Sequence, residues 1–323
     1  MHSFWLALPK PFFVLAPMAD VTDPAYRALI AASGKPHVTW TEFVSADGLY
    51  HMRHKKGIPD AENPLMRDLE YTEGERPIVA QLFTSNPESM RYAAALCAEL
   101  GYDGVDINMG CPDRSIEKQG AGAAMIKNPE AAKAVIRAAK ESGLPVSVKT
   151  RIGYTEETME SWLPEILSEA PAALTVHLRT RKEMSKVPAH WDLMAKAVAL
   201  RDQYSPDTRI IGNGDVTDLK DAQAKAAATG ADGIMIGRGI FGNPWVFAGR
   251  TVEDTSPKER LEALVRFAHA FEELRPQKSF HLVRKHVKAF AVGFDGAAEL
   301  RARLMQTENA AELAQAVQEH LVY

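Results

Sequence analysis

Cysteine is scarce in this chain: two residues, Cys97 and Cys111, occur among 323. Two thiols cannot form a disulfide framework, and neither has a metal-ligand spacing to a histidine pair. A reducing, cytoplasmic setting with no metal site is therefore expected. An excess of positive charge is also missing. Thirty-eight Lys and Arg against 42 Asp and Glu give a net charge of -4 and a pI near 6.2. That balance excludes a strongly basic nucleic-acid binder but leaves room for a local basic patch. No apolar run reaches membrane-spanning length, and the segment through Phe12-Phe13-Val14-Leu15 lacks the long apolar region of a signal peptide. No membrane partner is expected. No Gly-x-Gly-x-x-Gly follows the first strand-like run, where Ala19-Asp20-Val21-Thr22 stands instead. This absence counts against a doubly wound dinucleotide fold, the main rival architecture.

What the chain does contain is a repeated alternation. Apolar or β-branched runs at 13–18, 38–44, 78–83, 104–110, 146–152, 173–180, 209–215 and 233–239 are each followed by a helix-like segment. Asp23-Pro24, Asn86-Pro87 and Asn128-Pro129 place a capping side chain before a proline at the first helical position. Gly34, Gly101, Gly143 and Gly230 are expected to close helices in the left-handed conformation. The runs are too apolar for a one-faced antiparallel sheet and suit parallel strands covered by helices. Eight such units in about 250 residues predict a (β/α)8 TIM barrel with its site at the C-terminal strand ends. The long connection 45–76 is open to two readings, a cover over the site or a solvated loop. After Gly249 the alternation stops and helical spacing takes over, starting at Ser256-Pro257. The expected division is a barrel at 1–250 and a small helical bundle at 251–323.

Chemistry is concentrated where the runs end. Asp106-Ile107-Asn108-Met109-Gly110-Cys111-Pro112 reads as a strand opening into a loop, and Cys111 sits between a glycine and a proline. Cys97, in an alanine-rich helical segment, reads as a small core hydrophobe. Polar groups recur at the other mouths: Met18, Glu42, Gln81, Lys149 with Arg151, His177 with Arg179, Asn213 to Asp215, and Gly237-Arg238. The glycines and arginine of the last two ends fit a phosphate site. Lys149 and Arg151 point the same way at period two, and two desolvated like charges call for an anion or an electron-rich ligand. A Schiff-base lysine remains the alternative for Lys149, and a structural role remains the alternative for His177.

Asn108-Met109-Gly110-Cys111-Pro112, Gly120-Ala121-Gly122-Ala123-Ala124, Leu15-Ala16-Pro17-Met18, Val148-Lys149-Thr150-Arg151-Ile152-Gly153, His177-Leu178-Arg179-Thr180, Asn213-Gly214-Asp215 and Gly237-Arg238 together resemble the tRNA-dihydrouridine synthases. The resemblance implies an FMN-dependent oxidoreductase that takes electrons from NADPH and reduces the C5=C6 bond of a uridine in tRNA. By the same resemblance Pro17, Met18, Ala19, Gln81, Lys149 and His177 would surround the flavin ring. Asn213, Gly214, Asp215, Gly237 and Arg238 would hold its phosphate. Cys111 would donate the proton, and Asn108, Arg151 and Arg179 would lie near the target nucleotide. The run Arg181-Lys182-Glu183-Met184 departs from the family's usual glutamine and tyrosine. In the tail, Lys278, His281, Arg284, Lys285, His286 and Lys288 occur without an acid among them. Lys278, His281, Lys285 and Lys288 would share one helix face against tRNA phosphates. A monomer is expected. Alternatives are a flavin barrel acting on a free pyrimidine, a redox-inactive RNA-binding relative, and an aldolase-type barrel using Lys149.

Overall fold

The computed structural model describes residues 3–322, so residues 1, 2 and 323 of the expected domain ranges lie outside the described residues. The apolar runs form β1 (Phe12–Leu15), β2 (Thr39–Trp40), β3 (Val44–Ser45), β4 (Ile78–Phe83), β5 (Gly104–Met109), β6 (Val146–Arg151), β7 (Ala173–His177), β8 (Arg209–Asn213) and β9 (Gly233–Ile236). Pairing is parallel throughout, in the order β1-β9-β8-β7-β6-β5-β4-β2, with β3 continuing beside β4. A bridge from Val14 to Val38 joins the two ends. The result is a closed (β/α)8 barrel whose second position is shared by β2 and β3, and an open doubly wound sheet is excluded. Several strands stop short of the expected runs: β7 ends at His177 rather than Thr180, and β8 at Asn213 rather than Asp215. The residues beyond those ends are the polar ones, and they turn into the loops above the barrel.

The helix starts follow local chemistry. The side chains of Asp23, Asn86, Asn128 and Ser256 accept from the N–H of Tyr26, Glu88, Ala131 and Glu259, each ahead of a proline. Gly101, Gly143 and Gly230 take the expected left-handed conformation, but Gly34 does not. Its φ of -176 is ordinary extended backbone. A Cβ there would meet the Ala248 nitrogen at 2.6 Å, so close packing is what requires the glycine.

Side-chain alternation divides the barrel interior into layers. Phe12, Val14, Trp40, Val79, Ile211 and Met235 fill its N-terminal end, where Trp5 closes the floor. Trp5 comes from a short helix, Phe4–Ala7, that the sequence patterns did not indicate. Above this floor the inward residues turn polar: Gln81, Asp106, Ser147 and Thr175, all buried. The outward faces of the strands join the covering helices in one large apolar core.

The helices Pro257–Glu273, Arg284–Phe290, Ala297–Leu304 and Ala310–Val322 follow the barrel. They do not stand apart from it, because their apolar side chains belong to that same core. Tyr26 of the barrel helix Pro24–Ser33 packs at 5.2 Å from Phe267 and 4.2 Å from His286. The 45–76 connection forms short helical turns on the outer wall. Arg53 donates to the Tyr92 hydroxyl, and Arg27 and Glu75 form a fully buried ion pair at 2.7 Å. Buried pairs of this kind cost about 3–5 kcal/mol when one partner is removed, so this contact pins the connection firmly to the barrel.

Candidate active site

The register brings the polar residues to one rim. Gln81 pairs with Asp106, Asn108 with Lys149, Arg151 with His177, and His177 with Asn213. Pro17, Met18, Lys149, His177, Asn213, Gly214, Asp215, Gly237 and Arg238 line one cavity of about 220 Å³. Ala19 and Gln81, also expected at a cofactor, do not line it. Ala19 is exposed. Gln81 is buried and its amide is committed below the rim: its Nε2 donates to Asp106 at 2.6 Å and its Oε1 accepts from Asn108 at 3.0 Å.

That commitment fixes the cysteine loop. The Asn108 side-chain Oδ1 accepts from the N–H of Gly110 at 3.1 Å and of Cys111 at 2.9 Å. The Cys111 carbonyl accepts from Ala123 at 2.9 Å. Gly122 is required beneath it: its φ is +60, and a Cβ would meet the Cys111 oxygen at 2.7 Å. Asn108 therefore orients the loop. The chain of bonds ends on Asp106, which also accepts from Ser147 at 2.5 Å. Burial pushes the Asp106 carboxyl up to about 6, against the pull of Ser147 and Gln81. Asp106 carries a sequence signal for this role: an acid two residues before Asn108 in an otherwise apolar strand, hence on the same inward face.

Cys111 is half-buried, whereas Cys97 is fully buried. Burial raises the Cys111 thiol above its ordinary value, outweighing Lys149 and Arg151, so it is protonated at neutral pH. Burial alone pushes Cys97 up to about 12, as suits an inert core thiol.

Lys149 donates to Asn213 Oδ1 at 3.1 Å, and Asn213 Nδ2 in turn donates to the Met235 carbonyl at 3.0 Å. Burial first, and then repulsion from Arg151, lower Lys149 to about 8. Burial first, and then Lys149, push His177 well below the ordinary histidine range. The ring is therefore neutral. Its Nε2 lies 3.2 Å from Arg179 Nη1, and because a guanidinium can only donate, Nε2 accepts and Nδ1 carries the proton.

Arg151 and Arg179, expected beside a nucleotide, use most of their donors internally. Arg151 bonds the carbonyls of Gly110, Thr180 and Met184 at 2.7, 3.1 and 3.1 Å. Arg179 bonds the Val187 carbonyl at 2.6 Å and pairs with Asp215. Both are buried. They hold the loops after β5, β7 and β8 in place, and so does Arg181, which pairs with Glu117 and bonds the Pro112 carbonyl at 3.2 Å.

The Asp215 side chain serves the groups around it. A carboxylate cannot donate to an anion, and this one is taken up by Arg179, by Arg238 at 2.5 Å and by the Ala189 N–H at 2.9 Å. Those bonds, led by Arg179, hold its pKa down. Its side chain aims Arg238, which is 62% exposed. The backbone N–H groups of Gly214, Asp215, Gly237 and Arg238 have no hydrogen-bond partner among the described residues. Four free N–H donors, a directed guanidinium and the Lys149 ammonium on one cavity form a donor set that fits a phosphate and an electron-rich ring.

The basic stretch of the tail divides. Lys278 is only 8% exposed and bonds Glu42 at 2.8 Å and Asp68 at 3.0 Å, so it ties the tail to the rim. It precedes the helix rather than sharing its face. Arg284 is bonded to the Thr307 carbonyl at 3.0 Å. His286 is buried between tail and barrel, where burial lowers it to about 3. His281, Lys285 and Lys288 are exposed, with Lys285 paired to Asp20 at 3.0 Å.

A family model described as dihydrouridine synthase (Dus) matches residues 14–322. A probable tRNA-dihydrouridine synthase 2 of Bacillus subtilis (strain 168) is 43% identical over 318 residues, covering 97% of this chain and 94% of that protein. A probable tRNA-dihydrouridine synthase of Staphylococcus aureus (strain COL) is 40% identical over 314 residues, covering 96% and 93%. Among solved structures, morphinone reductase superposes with a TM-score of 0.51 over 73% of this chain and 84% of its own, at 14% identity. That last likeness is one of fold.

Proposed function

This chain belongs to the dihydrouridine synthase family, and from that premise we propose that it reduces the C5=C6 bond of a tRNA uridine with FMN as cofactor and NADPH as electron source. It is an oxidoreductase acting on tRNA, and we place its work in the cytoplasm. The observation that carries the cofactor assignment is the single cavity that unites Lys149, His177, Asn213, Gly237 and Arg238. Free backbone donors at one end suit a ribityl phosphate, and Lys149 with neutral His177 suit the polar edge of the ring.

When bound, FMN supplies the hydride to C6 of the uracil. The chain's own residues do the rest. Cys111 holds a proton for C5, which becomes basic as charge spreads over C5 and O4. Asn108, held by Gln81 and Asp106, keeps that thiol in place. Arg151, bonded to both the Gly110 and Met184 carbonyls, keeps the cysteine loop and the loop after β7 in fixed relation.

A free-pyrimidine substrate is disfavoured by Lys285 and Lys288, which stand exposed on a tail docked against the barrel. We assign the tail, residues 251–323, to tRNA binding. Lys285→Glu with Lys288→Glu should weaken tRNA binding roughly tenfold and flatten its salt dependence by about two phosphate contacts. Filter binding between 50 and 200 mM salt checks this, and unchanged affinity and slope would remove the tail from the interface. The whole reading is tested by dihydrouridine mapping: tRNA from cells lacking this protein should miss the modification at a defined position, and the purified protein should be yellow. Intact modification together with a colourless protein would overturn it.

A further inference from the structure

We propose that Met184 is a wedge that enters the tRNA base stack as the target uridine leaves it; the inference rests on the tRNA reading above. Met184 is at the tip of the loop after β7 and is 40% exposed, among the few large apolar side chains of the described residues left so open. Its backbone is left-handed, with φ +55. An L side chain adopts that conformation at a cost, and a glycine would be the easier residue there. Such outliers persist only where their surroundings impose them, and they cluster at functional sites.

The surroundings are on the site side. Arg151 Nη1 donates to the Met184 carbonyl at 3.1 Å, while Arg151 Nε donates to the Gly110 carbonyl at 2.7 Å. One guanidinium therefore fixes the methionine tip relative to the residue next to Cys111. The base of the loop is held separately: Arg181 pairs with Glu117, and Glu183 bonds the Thr180 N–H at 2.7 Å. What projects from this frame is Met184 with its exposed neighbours Lys182, Ser185 and Lys186. Neither lysine forms an ion pair among the described residues.

An unbranched apolar side chain between two unpaired cations has a definite complement: a base stack bounded by phosphates on either side. A uridine can reach the barrel only by leaving its stack, and the gap it leaves is apolar on both faces. Proteins that unstack nucleic acid fill such gaps with methionine, leucine, isoleucine or phenylalanine. Lys182 and Lys186 would meet the flanking phosphates. The same loop would thus hold the gap open while the Arg151 bond keeps that gap in register with the thiol.

The test uses the holoenzyme and an unmodified tRNA transcript, with the two half-reactions followed by flavin absorbance. For Met184→Ala and Met184→Gly, re-oxidation by tRNA should slow about tenfold, while reduction by NADPH and the dissociation constant for tRNA stay within about twofold of wild type. Met184→Leu should restore most of the rate. The glycine variant separates side chain from strain: if it runs as fast as wild type while the alanine variant is slow, the backbone rather than the wedge was at issue and the proposal fails. It also fails if both variants match wild type, or if the rate falls only in proportion to lost tRNA affinity. Wild-type enzyme that is reduced by NADPH but never re-oxidised by tRNA would instead refute the reading of function, and the wedge with it.

Discussion

Cys111→Ala should purify with its flavin, bind tRNA as wild type does, and form dihydrouridine about 10²–10⁴ times more slowly, the range that a positioned general acid commands. The loop does not depend on the sulfur for its shape. Asn108 holds the Cys111 N–H, Ala123 holds its carbonyl, and Gly122 leaves room beneath. None of these involves the side chain, so alanine removes the proton and, besides it, the contact of the Asp113 N–H with the sulfur. Cofactor retention follows because the thiol does not line the cavity of Lys149, Asn213 and Arg238. Burial raises the thiol's pKa, so the acid form persists through neutral pH and activity should fall only on the alkaline side, as the proton is lost. Nucleoside mass spectrometry of a tRNA transcript measures the product. A variant within threefold of wild type would take Cys111 out of the mechanism.

The barrel was legible because a buried parallel sheet requires apolar runs of strand length, each capped by a turn and a helix start, and those local signals coincide at Asp23-Pro24, Asn86-Pro87 and Asn128-Pro129. Nine of the eleven residues expected at the cofactor line one cavity, since strand ends on one rim of a closed barrel must converge. What stayed hidden was direction and partner. Arg151 and Arg179 look like ligand arginines in sequence, but Arg151 is bonded to carbonyls of two other loops and Arg179 to the Val187 carbonyl of its own loop and to Asp215, pairings that local pattern does not display. Lys278 looked like a surface charge because Glu42 and Asp68, more than 200 positions earlier, are invisible to local pattern. Burial opposes the Lys278 charge, yet those two carboxylates outweigh it and raise its pKa. Ala19 and Gln81 do not line that cavity, for a simpler reason. Position at a strand mouth does not fix where a side chain ends, and Gln81 lies one layer lower, committed to Asp106 and Asn108.

Lys149→Met should produce an enzyme that is more stable than wild type and far less active. Burial, with Arg151 beside it, lowers Lys149 from the ordinary lysine value of 10.5 to about 8. A depressed lysine means that the folded chain binds fewer protons than the unfolded chain between those two values. The flavin-free protein therefore carries the full penalty below pH 8, and its stability rises as pH climbs from 8 toward 10.5. The shift corresponds to at most about 3 kcal/mol. Methionine, of similar length and uncharged, should relieve part of this, so the flavin-free variant should melt several degrees higher at pH 7, with the gap closing by pH 10. The same charge is what the cofactor site needs. A cation about 4 Å from an anionic ring is worth up to about 4 kcal/mol at an effective dielectric of 20. Its loss should lower the midpoint potential of the bound flavin by on the order of 50 mV, taking about 30 mV per 1.4 kcal/mol for two electrons. In wild type, reduction by NADPH should hold steady through pH 8 and decline only above it, because the anionic groups of a bound cofactor raise the ammonium from its flavin-free value. The variant should be slow and flat across that window. Stopped-flow reduction and calorimetry read both halves. A Lys149→Met protein that melts no higher than wild type at pH 7 would deny the buried charge its cost, and an unchanged potential would place the lysine away from the ring.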